Sequence, residues 1–590
     1  MRIEGHSLEH RHRSGSAFQS GSAFQSALAT PVLVPPAVGE DARTTAPPVA
    51  STPWLLRAEF LVLLVVVATR VIGYTTHVDI HVWDELVYLL GGVELAQHGA
   101  VPHLAYSPGL SVAYALLHLL PIEGHLPDVM YGLCAAGAPL ALWWALRPLV
   151  RAPMPFLAAA YLACIPSIHQ ANHIGFHALP LAYAFTLVVL CVAVGLLARG
   201  QVLLGAVAFA FAALSRGENA PWLAGFVVCS LWSLQLRGRI WTKGALVALA
   251  SVVLAFSVLH EAPRARSWLA FRQHYARAVV SADYDVRGDA AFPVEPGRTV
   301  RDPSREIDRA FQEPDAYVQR DFPGAESVAG AAAVAPVRFF GFVVDNLSRL
   351  PMAVLAASRP HWLTEGLYWK CAGAVVALAT LGFVVASRRR RSTEVGSRFD
   401  PLVRTMLWTS PIALLVPLTV DARPELTLPL VPLVGATVGA GLAGFLDGVR
   451  PRVQALLSAT MVVAVLVLAV VVPSPFEGPE PPLQYRDQLT LLQESLPRVT
   501  GAPIHVLSTW NEFQMPLIGR EDVRGVRLPT SGPLDLEALL DREHIDCVLL
   551  TPQMTYGLAR DDDAMSTLTS PPWREVRREG VSVLYERVGL

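Results

Sequence analysis

Long apolar runs dominate this sequence and decide what it can fold into. Apolar residues make up 53% of the 590 residues, and most of them are gathered in runs that polar stretches separate. A helix needs about 20 consecutive apolar residues to cross the hydrocarbon core of a bilayer, and several runs reach that length. A soluble core needs far less apolar surface. The sequence therefore predicts a polytopic α-helical membrane protein with about 11 transmembrane helices.

The apolar runs and the basic residues between them predict the topology. The predicted spans are 55–74, 128–147, 153–168, 177–198, 202–214, 220–236, 243–260, 367–387, 402–419, 425–446 and 453–473. Basic residues such as Arg147, Arg199 and Arg388–Arg391 all fall on one side, and the positive-inside rule makes that side cytoplasmic. Because Arg is far commoner than Lys, as in bacteria with GC-rich DNA, we expect a bacterial plasma-membrane protein. Its N-terminus would be cytoplasmic and its C-terminus extracytoplasmic.

Composition divides the chain into three parts. Residues 1–52 are rich in Ser, Ala, Pro and Arg and contain the repeat SGSAFQSGSAFQ, which predicts a disordered tail. The membrane domain is predicted over 53–473, with a first outer loop at 75–127 and a large outer loop at 261–366. After a proline-rich linker, residues 474–590 are predicted to form a small soluble α/β domain.

Short patterns predict single elements within these parts. In the soluble domain, IHVLST (504–509), CVLLT (547–551) and VSVLYERV (581–588) have the composition of strands, and DLEALLDREH (535–544) that of a helix. In the first outer loop, SPGLSVAYALLHLL (107–120) is too short to span and predicts a re-entrant or interfacial helix.

Charge and cysteine placement argue against several other classes of protein. A net charge of −2 gives no electrostatic reason to expect a nucleic-acid partner. Five of the six Cys lie inside apolar runs, so neither a disulfide framework nor a CxxC metal site is indicated.

The predicted topology brings four polar strings to the outer face. The first outer loop carries Asp79, Asp84 and Glu85, and later loops carry IPSIHQANHIGFHALP (165–180), LSRGEN with Arg216, and ARPELTLPLVPLV with Arg423. Charges this close to hydrocarbon tend to line a cavity or to pair with one another. The sequence therefore predicts a site at the outer mouth of the helices, built from carboxylates and guanidinium groups.

These strings resemble motifs of the GT-C superfamily of membrane glycosyltransferases, in particular the bacterial branch related to protein O-mannosyltransferases and the aminoarabinose transferase of lipid A. The resemblance rests on WDELVY (83–88), YSPGL (106–110), LSRGEN and ARPELTLPLVPLV, and it covers about 54–473. It implies a GT-C-like fold and a polyprenyl-phosphate-linked sugar donor within a lipid membrane. The acceptor would be a glycan, lipid or protein, and transfer at the outer face would generally invert the anomeric carbon.

The resemblance also suggests roles for the candidate residues. An acceptor hydroxyl must lose its proton as the sugar becomes oxocarbenium-like, and we expect Asp84 to be the base. Glu85 and Asp79 would orient the acceptor or hold a divalent cation. No cofactor is required, but oxygen ligands such as Asp84 and Glu85 suit Mg²⁺ or Mn²⁺. Arg216 or Arg423 would neutralise the departing phosphate.

Further substrate contacts are expected from three other stretches. Tyr88 closes the WDELVY motif, and His173 lies in the second outer loop. Its neighbours His169 and His177 share its helical spacing, which also permits a metal site, although prolines and a glycine interrupt any helix there. The large outer loop carries His274, Tyr275 and Asp283 as acceptor contacts, followed by an amphipathic stretch at Val337–Ala357.

Competing interpretations remain open. Asp84 and Glu85 could serve as acidic residues in the first turn of an interfacial helix, while Arg216 could pair with Glu218, and Arg423 with Asp421 or Glu425. A transporter or flippase would also have many spans and intramembrane charges, but the chain lacks the internal repeats that transporters tend to show. A non-catalytic GT-C-like assembly protein is the third alternative, because Ser107 and Pro424 replace a Lys and a Tyr that some members carry.

Overall fold

The computed structural model of the chain describes a helical part followed by a small sheet. The described residues are 53–72, 84–99, 108–120, 126–148, 153–165, 181–199, 201–216, 223–228, 240–259, 261–287, 314–358, 450–472, 484–496, 503–508, 522–528, 534–551, 563–580 and 582–588, together with a few single residues and pairs between them. Residues 51–590 form one compact unit. The tail predicted over 1–52 lies outside the described residues.

The apolar runs form helices, because within a bilayer a helix satisfies every backbone hydrogen bond inside one segment. In chain order the helices are α1 (Pro53–Val71), α2 (Asp84–His98), α3 (Pro108–His118), α4 (Leu126–Leu146), α5 (Met154–Ala163), α6 (Leu181–Ala198), α7 (Val202–Ser215), α8 (Ile240–Leu259), α9 (Glu261–Arg287), α10 (Asp315–Asp321), α11 (Val328–Val334), α12 (Pro336–Ser358), α13 (Pro451–Val471) and α14 (Gln484–Ser495). Helices α1, α4, α6, α7, α8 and α13 coincide with predicted spans to within a few residues. The short helix predicted in the first outer loop is α3.

Two of the described helices are long and apolar enough to cross a membrane by length and composition. They are Leu126–Leu146 and Arg452–Val471. Four further helices are apolar but shorter, namely Met154–Ala163, Tyr183–Leu197, Val202–Ser215 and Thr242–Val253. The mostly helical architecture with a small C-terminal sheet is thus confirmed. The count of eleven spans stays a prediction, because several predicted spans lie outside the described residues.

Contacts at helix ends show how the helices run. At the end of α6 the Arg199 guanidinium donates to the carbonyl oxygen of Trp144 at 2.8 Å and lies 3.8 Å from the centroid of its ring. Trp144 is in the last turn of α4, so α4 and α6 end together, and Arg147 lies there too, over the ring of Trp143. Helix α7 follows α6 after a short turn and runs back. We call the opposite end, formed by the first turns of α4 and α6 and the last turn of α7, the mouth end.

Arg70 joins the ends of α1 and α13. Its Nη2 donates to the carbonyl oxygens of Ala469 at 2.9 Å and Val472 at 2.7 Å, although its side chain is buried. A cation satisfies the carbonyls that a helix leaves unpaired at its C-terminus and complements the helix dipole. Phe60, in the first half of α1, contacts Trp143 near the end of α4. Helix α1 therefore runs opposite to α4 and ends at the mouth end.

Helices α9 to α12 pack around an aromatic cluster. The ring centroid of Phe271 in α9 lies 5.7 Å from that of Phe322, 6.0 Å from that of Phe339 and 5.9 Å from that of Phe342. Edge-to-face and tilted arrangements at these distances are favourable. With Val318 of α10 and Ala331 of α11, the cluster ties four helices of the segment predicted as the large outer loop into one packed unit.

Asp321 fixes the edge of this cluster. Its buried carboxylate accepts hydrogen bonds from the Tyr275 hydroxyl at 2.8 Å, from Arg320 at 3.0 Å and from Arg338 at 2.6 Å. Burial and the bond to Asp321 raise the pKa of Tyr275 to about 12. Burial also raises the pKa of Asp321, but its hydrogen bonds from Arg320 and Tyr275 and the charge of Arg338 outweigh burial and leave it below its ordinary value. Tyr275, expected to contact an acceptor, is instead part of the packing.

The C-terminal part forms a five-stranded mixed sheet in the order β2-β1-β3-β5-β4. The strands are β1 (Ile504–Ser508), β2 (Val523–Arg527), β3 (Cys547–Leu550), β4 (Trp573–Glu579) and β5 (Ser582–Arg587), and the helices α15 (Leu536–Arg542) and α16 (Ala564–Thr569) lie between them. Strand β1 pairs in parallel with β2 and β3, whereas β5 pairs antiparallel with β3 and β4.

The sequence predicts the inner strands and misses the two edge strands. Strands β1, β3 and β5 and helix α15 confirm the predicted elements. The sequences VRGVR in β2 and WREVRRE in β4 carry more charge than a buried strand tolerates, so they give no strand pattern. Both strands lie at the edges of the sheet, where charge discourages pairing with other chains. In β4, Arg574, Arg577 and Arg578 form ion pairs with nearby Glu side chains.

Helix α14 connects the sheet to the membrane helices. Leu489 packs against the sheet cluster around Leu491, Val506 and Leu549. The same side chain packs against the cluster of α2, α3 and α4 that contains Tyr88 and Leu110. The C-terminal domain therefore rests on the helices of the first outer loop.

Candidate functional site

Two glycines let α2 and α3 lie against each other. A Cβ on Gly92 would lie 2.8 Å from the carbonyl oxygen of Ser111 and closer still to Tyr114, and a Cβ on Gly91 would lie 2.7 Å from the Ser111 hydroxyl. At Gly92 the nearby oxygen belongs to the backbone, so no larger residue fits there without a shift of the helix. The two glycines thus fix the position of α2, which begins at Asp84.

Asp84 and Glu85 are the first two residues of α2, and their side chains lie outside the described residues. Acidic residues in a first turn are favoured by the helix dipole, so this position agrees with both the helix-start interpretation and the catalytic one. Tyr88 follows Asp84 after one turn and is buried. It shares one apolar cluster with Leu110 of α3 and Ala184 of α6, which brings the start of α2 to the mouth end.

The first turn of α3 touches the last turn of α7. A Cβ on Gly109 would lie 2.7 Å from the backbone nitrogen of Ser215 and 2.8 Å from its Cα. The YSPGL and LSRGEN motifs, far apart in sequence, therefore meet directly. Arg216 follows Ser215 and leaves the helix with an extended backbone, at φ −151° and ψ 122°.

Arg216 is held by Tyr183. Its Nη2 donates to the Tyr183 hydroxyl at 2.8 Å, and its Cζ lies 3.8 Å from the centroid of the Tyr183 ring. Only 7% of Arg216 is exposed. The hydroxyl and the ring face of Tyr183 together orient the guanidinium. The mouth end thus presents a buried and oriented cation.

This arrangement favours an anion. The first amides of a helix lack partners within the helix, and the helix dipole adds positive potential where they lie. At the start of α3, Pro108 occupies the first position, where a missing N–H is no loss. Because Gly109 contacts Ser215, the residue before Arg216, the backbone of Arg216 leaves α7 next to the start of α3. A phosphate is the biological anion that such a pair suits best.

The other predicted site residues lie outside the described residues. They are Asp79, His173 and Arg423, together with the local partner proposed for Arg216, Glu218. Within the residues that the structure describes, no group of three or more His, Cys, Asp or Glu side chains lies close enough to hold a metal ion. The described positions thus bring together Arg216, Tyr88 and the start of α2, and the remaining assignments stay predictions.

Sequence reasoning missed Arg70 and Tyr183. Arg70 interrupts the last turn of the first apolar run, and a charge at that depth was itself a signal of a specific partner. Tyr183 gave no comparable signal, because aromatic residues are common at the ends of membrane helices. Its contact with Arg216 depends on the packing of α6 against α7.

Replacing Gly109 with Ala is expected to lower stability by about 1–3 kcal/mol, because the added methyl group would overlap backbone atoms of Ser215 that cannot rotate away. Gly137 in α4 is a matched control, since a Cβ there would lie at ordinary contact distance, 3.5 Å from Val188, and alanine favours helix. Thermal unfolding of the purified variants in detergent measures the difference. Equal melting temperatures for the two variants would contradict the close contact between α3 and α7.

No protein-family model matches the sequence, and no curated protein matches it. Among solved structures, the chain resembles the oligosaccharyltransferase of Archaeoglobus fulgidus in its apo form, with 13% identity and a TM-score of 0.42 over 86% of this chain and 71% of that one.

ArnT from Cupriavidus metallidurans is also similar to this chain. The structure bound to undecaprenyl phosphate has 15% identity and a TM-score of 0.34, over 92% of this chain and 99% of that one. The apo structure has 13% identity and a TM-score of 0.34, over 90% and 97%. These neighbours are GT-C glycosyltransferases.

Proposed function

We propose that this chain is a glycosyltransferase at the outer face of the bacterial plasma membrane. It transfers a sugar from a polyprenyl-phosphate carrier to a glycan, lipid or protein acceptor, with inversion at the anomeric carbon. The N-terminus lies in the cytoplasm, and the C-terminal domain lies outside the cell against the first outer loop. The proposal rests on the residues of the mouth end and on the motifs that carry them.

The observation that carries the proposal is the buried Arg216 beside the first turn of α3. The phosphate of a polyprenyl carrier lies at the membrane surface, while its lipid chain stays in the bilayer. A guanidinium fixed at the ends of apolar helices can meet such a phosphate where little water competes for it. Tyr183 holds the guanidinium with its ring and hydroxyl, so little side-chain freedom is lost on binding.

The acceptor must be activated on the other side of the sugar. Asp84 takes the proton of the acceptor hydroxyl or amine as that atom forms a bond to the anomeric carbon. Glu85 and Asp79 orient the acceptor. Asp84 begins α2, which its two glycines hold against α3. The base therefore lies on a helix packed against α3, and the first turn of α3 forms one side of the proposed phosphate site.

The leaving group is the polyprenyl phosphate. As the bond between the anomeric carbon and the phosphate oxygen breaks, the electron pair stays on that oxygen and the phosphate gains negative charge. Arg216 stabilises this charge, with Arg423 as a second cation. The buried aromatic residue Tyr88 and His173 of the second outer loop complete the surroundings of the sugar and the acceptor.

Mass spectrometry of cells with and without the chain tests the proposal. Loss of the chain is expected to leave a polyprenyl-linked sugar unused, so that this lipid accumulates while one surface glycan, lipid or protein loses that sugar. Restoring the wild-type chain should reverse both changes. If the lipid-linked sugar accumulated only in the cytoplasmic leaflet, the chain would be a flippase. If neither pool changed, the chain would not be a transferase.

A further inference from the structure

Helix α12 (Pro336–Ser358) divides into three distinct faces. At about 100° per residue, Phe339, Phe342 and Asn346 fall on one side of the helix, and all three are buried. A second side carries Val337, Phe340, Val344 and Leu347. A third side carries Arg338, Asp345 and Arg349, which are exposed. A helix that lies between a protein core and water has one apolar and one polar face. Helix α12 has a second, exposed apolar face in addition.

The second face is apolar and uncovered. Val337 is 86% exposed, Phe340 61%, Val344 60% and Leu347 51%. These four residues, which we call the α12 stripe, recur at the three- and four-residue spacing of one helix face. Four large apolar side chains in a continuous row are costly to leave in water and mark a surface that another phase or molecule covers.

The position of α12 identifies that phase. Asn346, on the buried face, donates from Nδ2 to the carbonyl oxygen of Leu418 at 3.0 Å. Leu418 is the penultimate residue of the predicted span 402–419, so we expect the middle of α12 to lie near the outer end of that span. The aromatic cluster holds α12 against α9, which directly follows α8, another apolar helix. Both connections favour a position of α12 at the boundary of the bilayer.

The charged residues agree with this position. Arg338, Asp345 and Arg349 lie on the side of α12 away from the stripe, as in helices that lie flat in a membrane interface. Arg338 also pairs with the buried Asp321, which fixes the rotation of the helix about its axis.

We propose that the α12 stripe inserts into the outer leaflet of the lipid bilayer, with Asp345 and Arg349 directed to the headgroups and water. Helix α12 then anchors the packed unit of α9 to α12 to the membrane surface at a second place, in addition to the spans. This role does not depend on the proposed sugar transfer, and it assigns a lipid partner to a surface outside the mouth end.

Spin-label accessibility in liposomes tests this inference. In the full-length chain without its six native cysteines, single cysteines replace Phe340 or Val344, and Asp345 or Arg349 as matched controls on the same helix. The chain is reconstituted into phosphatidylcholine vesicles with a minor fraction of phosphatidylglycerol. Labels at 340 and 344 are expected to collide several-fold more with dissolved oxygen than with a water-soluble nickel chelate. Labels at 345 and 349 should show the reverse order.

Two results would overturn the inference. If the nickel chelate reached labels at 340 and 344 as readily as those at 345 and 349, the stripe would face water. If oxygen and nickel were both excluded from 340 and 344, protein would cover the stripe, and a dependence of that exclusion on the protein-to-lipid ratio would identify a second copy. The native fold of each labelled chain is checked by its melting temperature.

Discussion

Replacing Asp84 with Asn is expected to lower the rate of sugar transfer by about 10²- to 10⁴-fold, the usual contribution of a general base. Asn has nearly the same shape but cannot take a proton from the acceptor. Losing the interaction of the carboxylate with the helix dipole costs only about 0.3–1 kcal/mol, so α2 should keep its position and the protein level should stay normal. The measurement is the initial rate of sugar incorporation by the purified variant in lipid nanodiscs, relative to the wild-type chain.

This substitution separates the two interpretations of the acidic pair. If Asp84 only favours the start of α2, the Asn variant should transfer sugar at the wild-type rate. Glu94 lies farther along the same helix and is half-buried, so Glu94→Gln controls for the loss of a carboxylate from α2 and should leave the rate unchanged. A full rate for Asp84→Asn with a large loss for Glu85→Gln would transfer the role of base to the neighbouring residue.

The helices follow from the sequence because apolar length is a local property. Six helices coincide with predicted spans, since each needs only its own run of apolar residues to be stable in a bilayer. The edge strands β2 and β4 do not follow in the same way. Their charged residues are stable only because β1 and β5 supply a paired neighbour, and no local pattern records that pairing.

The sequence predicts which loops meet at the mouth end, but not the contacts between their residues. The positive-inside rule orders the loops, and that order places LSRGEN on the same face as the first outer loop. It does not predict that Gly109 touches Ser215 or that Tyr183, 33 residues from Arg216 in the chain, holds the guanidinium. Such contacts depend on the angles and distances at which the helices cross. Those are set by the packing of side-chain ridges into grooves and by glycines at the contacts.

Replacing Arg216 with Gln is expected to weaken the binding of a polyprenyl phosphate by about 10- to 100-fold, because hydrogen bonds to charged groups contribute about 1.5–3 kcal/mol. Lys at the same position should recover only part of the loss, since a single ammonium cannot reproduce the planar fork of a guanidinium. Tyr183→Phe keeps the ring but removes the hydroxyl that accepts from Nη2, and it should weaken binding less than Arg216→Gln. The dissociation constant is measured with the purified chain in nanodiscs.

Arg199 provides the matched control. Like Arg216, it stacks on an aromatic ring, and it donates to the carbonyl oxygen of Trp144. It lies at the opposite end of α6 from Tyr183, so Arg199→Gln should leave the affinity unchanged. If both substitutions weakened binding equally, the phosphate would respond to overall positive charge and not to an oriented site. If neither did, the phosphate would bind elsewhere, with Arg423 as the next cation to replace. A selective loss at Arg216 requires that the phosphate lie at the mouth end, beside the first turn of α3, because a guanidinium that is buried and held by Tyr183 reaches only its immediate neighbours.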